Sequence, residues 1–341
     1  KSPKYNSKTA KNGIAVWLYR PLLQCFLNSP PHLRADLFCG MKKGISGMPY
    51  IIGAAVLWGL FPVFTRIIFA EGITVMQAVA ARAAVAGLIY LVIGFVKGCF
   101  SGLGGRDLVF LSLYGFASLL GTYVFYSLSI KYLSAAMAAM LLYTAPAFVI
   151  VFDRIIWKEK ITPPKLIALA AAFFGSCLVV RVYDVDSLVV NTAGIIFGLL
   201  SGISYSMLTV IGRAAVKRGY SATQNTVVPA VAVGVLAGAA IPVCGLPLDS
   251  TAVILCYLAL GVVGSVLPYF LYQKGLASGI DGSAASILAN IEPVTATMFG
   301  VLIFADTLEA AQIAGIVVVL GGAAVGTLGQ ERFAVGSKEK A

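Results

Sequence analysis

Ten stretches of the chain are nearly unbroken runs of apolar side chains: residues 48–69, 73–96, 108–130, 133–152, 164–181, 193–212, 222–244, 251–273, 280–303 and 310–328. Each is close to the roughly 20 residues that a helix needs to cross a hydrocarbon core of about 30 Å. None alternates apolar with polar as a barrel strand does, and each is far too long for one. The pattern predicts an all-α integral membrane protein with ten transmembrane helices and short connections. Composition agrees, since 59% of the 341 residues are hydrophobic and 11% are charged, whereas soluble domains carry about 25% charged residues.

The ten runs also repeat. Gly72, Thr74 and Gln77 fall on Gly219, Ser221 and Gln224, an offset of 147. The same offset takes Ala138, Leu141 and Pro146 to Ala285, Leu288 and Pro293, Glu159 to Asp306, and Gly175 to Gly322. In the third run of each half the offset slips by one, so that Gly115, Tyr123 and Tyr126 meet Gly261, Tyr269 and Tyr272. Five spans per half is an odd number, so the second half must cross the membrane in the opposite sense to the first. This predicts two inverted five-helix repeats, over 48–181 and 193–328, with a candidate site near the midplane where they meet. Residues 182–192 are expected to link them, with 1–47 a basic, disordered leader and 329–341 a cytoplasmic tail. Within the leader, Met41 followed by two lysines reads as a natural start, and 1–40 as an appended or over-extended segment. A membrane scaffold is the plainer alternative to a transporter for such a repeat.

The net charge of +11 raises the question of an anionic partner, but its placement answers it. With an even number of spans and the N-terminus inside, 15 lysines and arginines from Lys42 to Lys340 fall on cytoplasmic segments, and only Arg66, Lys131 and Arg181 on the other side. That asymmetry is the positive-inside rule, so no nucleic-acid partner is implied. The six cysteines are scattered without a CxxC spacing and read as small buried hydrophobes.

Two ionisable side chains lie deep inside the runs, Arg82 and Glu292. At 1.5 Å per residue they sit about 14 Å and about 16 Å below the same membrane surface. Each alone costs about 2.5–3.5 kcal/mol on insertion scales, so both are expected to face the bundle interior. Close together, they would pair in one state and be competed for by substrate in another; a permanent structural pair is the alternative. Pro293 beside Glu292 predicts a helix bend with a free carbonyl next to a carboxylate, a place for a cation or proton. Pro146 matches it in the first half without the charge. Trp58, Tyr123, Tyr126, Tyr143, Tyr269, Tyr272 and Asn290 are the aromatic and amide candidates for the cavity wall.

Enzyme readings lack their residues. The only histidine is His32, GISG at 44–47 has no base to activate Ser46, and one midplane carboxylate makes no aspartyl dyad. Without a GxxxxGK[ST] loop, transport would be driven by a gradient of substrate, proton or ion. No metal or cofactor is expected, and oligomeric state is left open.

In this set of residues the chain resembles the EamA-type members of the drug/metabolite transporter superfamily. The resemblance rests on AAVLWGLFPVF (54–64), AVAARAAVAG (78–87), LSAAMAAMLLYTAPAF (133–148) with WKEKIT (157–162), and GSAASILANIEPV (282–294) with FADTL (304–308). It implies ten helices, with the fourth and ninth lining a central cavity beside the first, third, sixth and eighth. It also marks Glu159, and Asp306 in the second half, as the acidic residue that follows the fourth span of each repeat. The expected function is secondary transport across the cytoplasmic membrane by alternating access, with both termini cytoplasmic. A small metabolite such as an amino acid would be exported, with a proton or ion as candidate coupling species. A non-transporting accessory or lipid-flippase component, and then a channel, are the alternatives.

Overall fold

The structure, a computed structural model, describes residues 46–184, 191–248 and 250–338. Most of the expected leader and the centre of the expected linker lie outside these residues. The spans are α1 Ser46–Ala70, α2 Val75–Val96, α3 Gly105–Tyr132, α4 Ala135–Ile156, α5 Pro163–Val179, α6 Thr192–Lys217, α7 Ala222–Cys244, α8 Thr251–Ala277 and α9 Gly282–Phe304, with α10 Ala310–Lys338. Among the described residues nine helices are long and apolar enough to span a bilayer, and α5 is a shorter apolar helix. No strand occurs among them. The last helix continues past the end of its apolar run, from Thr327 to Lys338. Hydropathy marks where a helix leaves the hydrocarbon, while backbone propensity decides where it ends, so much of the expected tail is helical.

The equivalent helices α2 and α7 establish the inversion. Thr74 and Gln77 cap the start of α2 reciprocally, and Ser221 and Gln224 do the same for α7. Each turn before the cap needs a left-handed residue, met by Gly72 (φ 77°) and Gly219 (φ 92°). The two glutamines then reach across the halves. Gln77 Nε2 donates to the Cys244 carbonyl at the end of α7 (3.2 Å), and Gln224 Nε2 to the Cys99 carbonyl just past α2 (3.3 Å). The start of each helix therefore lies against the end of its counterpart, and they run antiparallel. They cross at equivalent residues: a Cβ on Gly87 would lie 2.6 Å from Gly234 Cα, and one on Gly234 2.5 Å from Gly87 Cα. A residue that touches its own counterpart lies on a two-fold axis, and small residues there allow the backbone approach on which helix association in lipid depends.

Both halves interrupt the same helices at matching places. α4 breaks at Tyr143 and Thr144, and α9 at Asn290 and Ile291, with Pro146 and Pro293 opening the second half-helix in each case. α3 and α8 each contain a π-helical turn, Phe116–Leu120 and Val262–Val266. Such turns shift the direction of every side chain that follows and recur at functional sites. α1 has a further break at Leu60.

Candidate functional site

These breaks surround a cavity of about 340 Å³. Its wall comes from α1, α2, α3, α4, α6, α8 and α9, together with Val179 and Val180 at the end of α5. It runs from Glu292 out to Phe69, Val75, Ile130 and Ala135, at the ends of α1 and α3 and the starts of α2 and α4. The cavity therefore opens on the membrane face that carries these ends. The opposite face, where loops 97–104, 157–162 and 278–281 lie, is the basic one.

Arg82 lies on α2 and is buried. Its Nε donates to Ser265 Oγ (3.2 Å) inside the π turn of α8, and its Nη2 donates to Tyr123 Oη (3.1 Å) and to the Gly264 carbonyl (3.4 Å). The guanidinium also lies 4.6 Å from the Phe61 ring centre and 4.3 Å from that of Tyr123. Ring faces and hydroxyls thus supply the counter-charge that lipid cannot. Tyr123 donates onward to Tyr269 Oη at 3.1 Å. Trp58 stands edge-on to Tyr269 and to its own counterpart Tyr205, at 5.4 and 5.9 Å between ring centres.

Glu292 is the first residue of the second half-helix of α9. The unsatisfied amide dipoles at that point favour a carboxylate. Glu292 and Arg82 share the cavity wall and interact electrostatically across it, yet the direct contacts of Arg82 are the hydroxyls, carbonyl and rings above, and no ion pair joins the two. The carboxylate faces the cavity.

Trp58, Tyr123, Tyr126, Tyr143, Tyr269 and Pro293 also line the cavity. Tyr272, Asn290 and Pro146 do not. Tyr272 points away, its hydroxyl 2.7 Å from Thr209 Oγ1 and its ring behind Trp58. Asn290 is buried in the break of α9, with its Nδ2 unpartnered. Pro146 is buried within α4. Tyr205, not among the candidates, does line the cavity, with its buried hydroxyl turned to the Glu292 carboxylate. The signal for it was its position, 147 residues after Trp58.

A charged cluster, of which the sequence marked only Glu159, closes the basic end. Arg213 on α6 pairs with Asp153 of α4 (2.8 Å) and with Glu159 (2.8 Å). Lys165 at the start of α5 pairs with Glu159 (3.3 Å) and with Asp281, the N-cap of α9 (3.2 Å). Ser283 Oγ donates to Asp153 Oδ2 at 3.3 Å. Three carboxylates lie close together here, with two cations interleaved among them, so most of their charge is offset within the cluster. At the other end Arg66 of α1 pairs with Asp306 at 2.9 Å.

The sequence model of the EamA-like transporter family matches residues 45–181 and again residues 192–328. The chain is 30% identical over 279 residues to an "uncharacterized transporter" of Archaeoglobus fulgidus, covering 81% of this chain and 94% of the relative. It is 25% identical over 298 residues to the "uncharacterized inner membrane transporter YicL" of Salmonella typhimurium, covering 84% and 97%. A solved crystal structure superposes with a TM-score of 0.72 at 17% identity, over 84% of this chain and 98% of the other; that likeness is one of fold. A cavity between two inverted halves, each matched by the same family, makes this chain a multi-pass membrane transporter that belongs to the EamA-like transporter family.

Proposed function

We propose that the chain is a secondary carrier that exports a small amphipathic metabolite, an amino acid or a related compound, by alternating access. The observation that carries this reading is the state of the two deep charges. Arg82 is held by Tyr123, Phe61 and Ser265, whereas Glu292 lines the same cavity with no ion-pair contact. An ammonium group or a proton is the complement that such a carboxylate accepts. The walls of Trp58, Tyr143, Tyr205 and Tyr269 suit an apolar or aromatic body. Substrate and proton would then compete for Glu292, which couples the export of one to the entry of the other. The positive-inside asymmetry supports a reading in which the basic face and both termini are cytoplasmic; in a plasma membrane the cavity would then open outward.

Counterflow in proteoliposomes across a metabolite panel tests the proposal. The expected result is saturable exchange of one chemical class, lost on Arg82→Ala. Glu292→Gln should abolish the response to a pH gradient. Full pH-driven uptake by both variants would sink it.

A further inference from the structure

The offset of 147 that relates the helices also relates their charged ends. It takes Arg66 to Arg213 and Asp306 back to Glu159, so the two ion pairs, one at each membrane face, are images of one another. At the basic face this pair is part of a socket that already holds something. The first turn of α9, residues 281–283, is seated on it: Asp281 on Lys165, Ser283 on Asp153, and Gly282 so close that a Cβ would lie 2.7 Å from Arg213 Nη1. Arg213 and Asp153 are accordingly 12% and 1% exposed at the side chain.

The image of that turn is residues 134–136, the start of α4. It is not seated. Ser134 Oγ accepts from Met137 N in its own turn, Ala135 lines the open cavity, and Arg66 and Asp306 are 57% and 45% exposed. There is room to receive it. Where Asp153 stands in the filled socket the other has Gly300, and where the filled socket admits Gly282 the other would admit Ala135. The second socket is therefore the roomier one, since Gly300 leaves out the carboxylate of Asp153 while Ala135 adds only a methyl.

We infer that Arg66 and Asp306 are the receiving half of a second gate, which residues 134–136 close in the conformation that opens the cavity to the basic face. The inference rests on the alternating-access reading above and adds the residues that perform it. The two gates also differ in strength. Lys165, Asp281 and Asp153 correspond to Gln312, Ser134 and Gly300, so the basic-face gate closes with three charges that the other lacks beside its one ion pair. Charged hydrogen bonds with partly buried partners outweigh neutral ones, and the carrier therefore rests with the basic face shut.

Disulfide trapping tests the inference in the full-length chain, with its six cysteines replaced. Ala136→Cys with Gly300→Cys copies the contact between Ser283 and Asp153. The pair should cross-link under mild oxidation in membranes and then shield a cysteine at Thr65 from an impermeant maleimide. Lys165→Gln with Asp281→Ser gives the basic-face gate the residues of its image while Ser keeps the N-cap. It should raise the cross-linking rate roughly tenfold, the order expected when a charged pair favouring one conformer is removed. No disulfide in either background overturns the gate. A cysteine at Thr297 in the cavity separates the two failures. If it is reached from both faces while the disulfide never forms, the gate falls and alternating access stands; if it is reached from one face only, both fall.

Discussion

Tyr123 and Tyr269 occupy equivalent places in the two halves, and their hydroxyls meet at 3.1 Å. Each follows the π turn of its own helix by three residues, so the same local irregularity brings both to the axis. Arg82 breaks the symmetry by donating to Tyr123 alone; its own counterpart is Pro229. Tyr123→Phe keeps the ring beneath the guanidinium and removes the acceptor. The expected cost is about 1.5–3 kcal/mol, the range for a hydrogen bond to a charged group, read as a lower thermal midpoint in detergent. Tyr269→Phe leaves Arg82 its partner and should cost less.

The crossing of α2 and α7 has no spare room. Gly87→Ala and Gly234→Ala each drive a methyl into the opposite backbone, which cannot yield as a side-chain tip can. Each should lower stability by about 1–3 kcal/mol, and by similar amounts because the contact is shared. Thermal unfolding of the two variants checks this. A large difference between them would show that the axis does not pass here.

Glu292→Gln keeps shape and removes the charge. Exchange of substrate for substrate should continue at a reduced rate, while uphill movement driven by a pH gradient stops. Parallel counterflow and gradient-driven assays on the same vesicles separate the two.

The charged gate has a defined pH range. Burial raises the Asp281 carboxyl, but Lys165 and Arg213, with the Ala284 amide, more than offset this and hold it below its usual value. A carboxyl lowered in the closed gate strengthens closure above its ordinary value of about 3.9 and loses that effect as pH falls through the lowered one. Asp153 and Glu159 face the same cations. Asp281→Asn should therefore loosen the basic-face gate at neutral pH, and match the parent toward about pH 3. Maleimide labelling of a cysteine at the basic end of the cavity, taken across that range, reads the effect.

Much of this was legible in the chain itself. The apolar runs gave the spans because lipid demands long apolar helices, and the missed detail was at their ends, as in α10. The repeat gave the inversion because five spans per half is odd. Arg82 and Glu292 stood out because charge at that depth is costly. Side-chain direction was less legible. Tyr126 and Tyr272 are equivalent candidates in the two halves, yet only Tyr126 reaches the cavity. The π turns and the tilt of each helix decide which way a ring points, and neither follows from spacing.

The amino-acid sequence by itself determined two matched quintets of opposite sense, with their charges at fixed depths, because hydrophobic length and repeat period act along one dimension. Which of two equivalent ends is closed was decided only by tertiary structure. A near-symmetric chain can seat either first turn on its socket, and only the packing of Arg213, Asp153, Lys165 and Asp281 around α9 selects one.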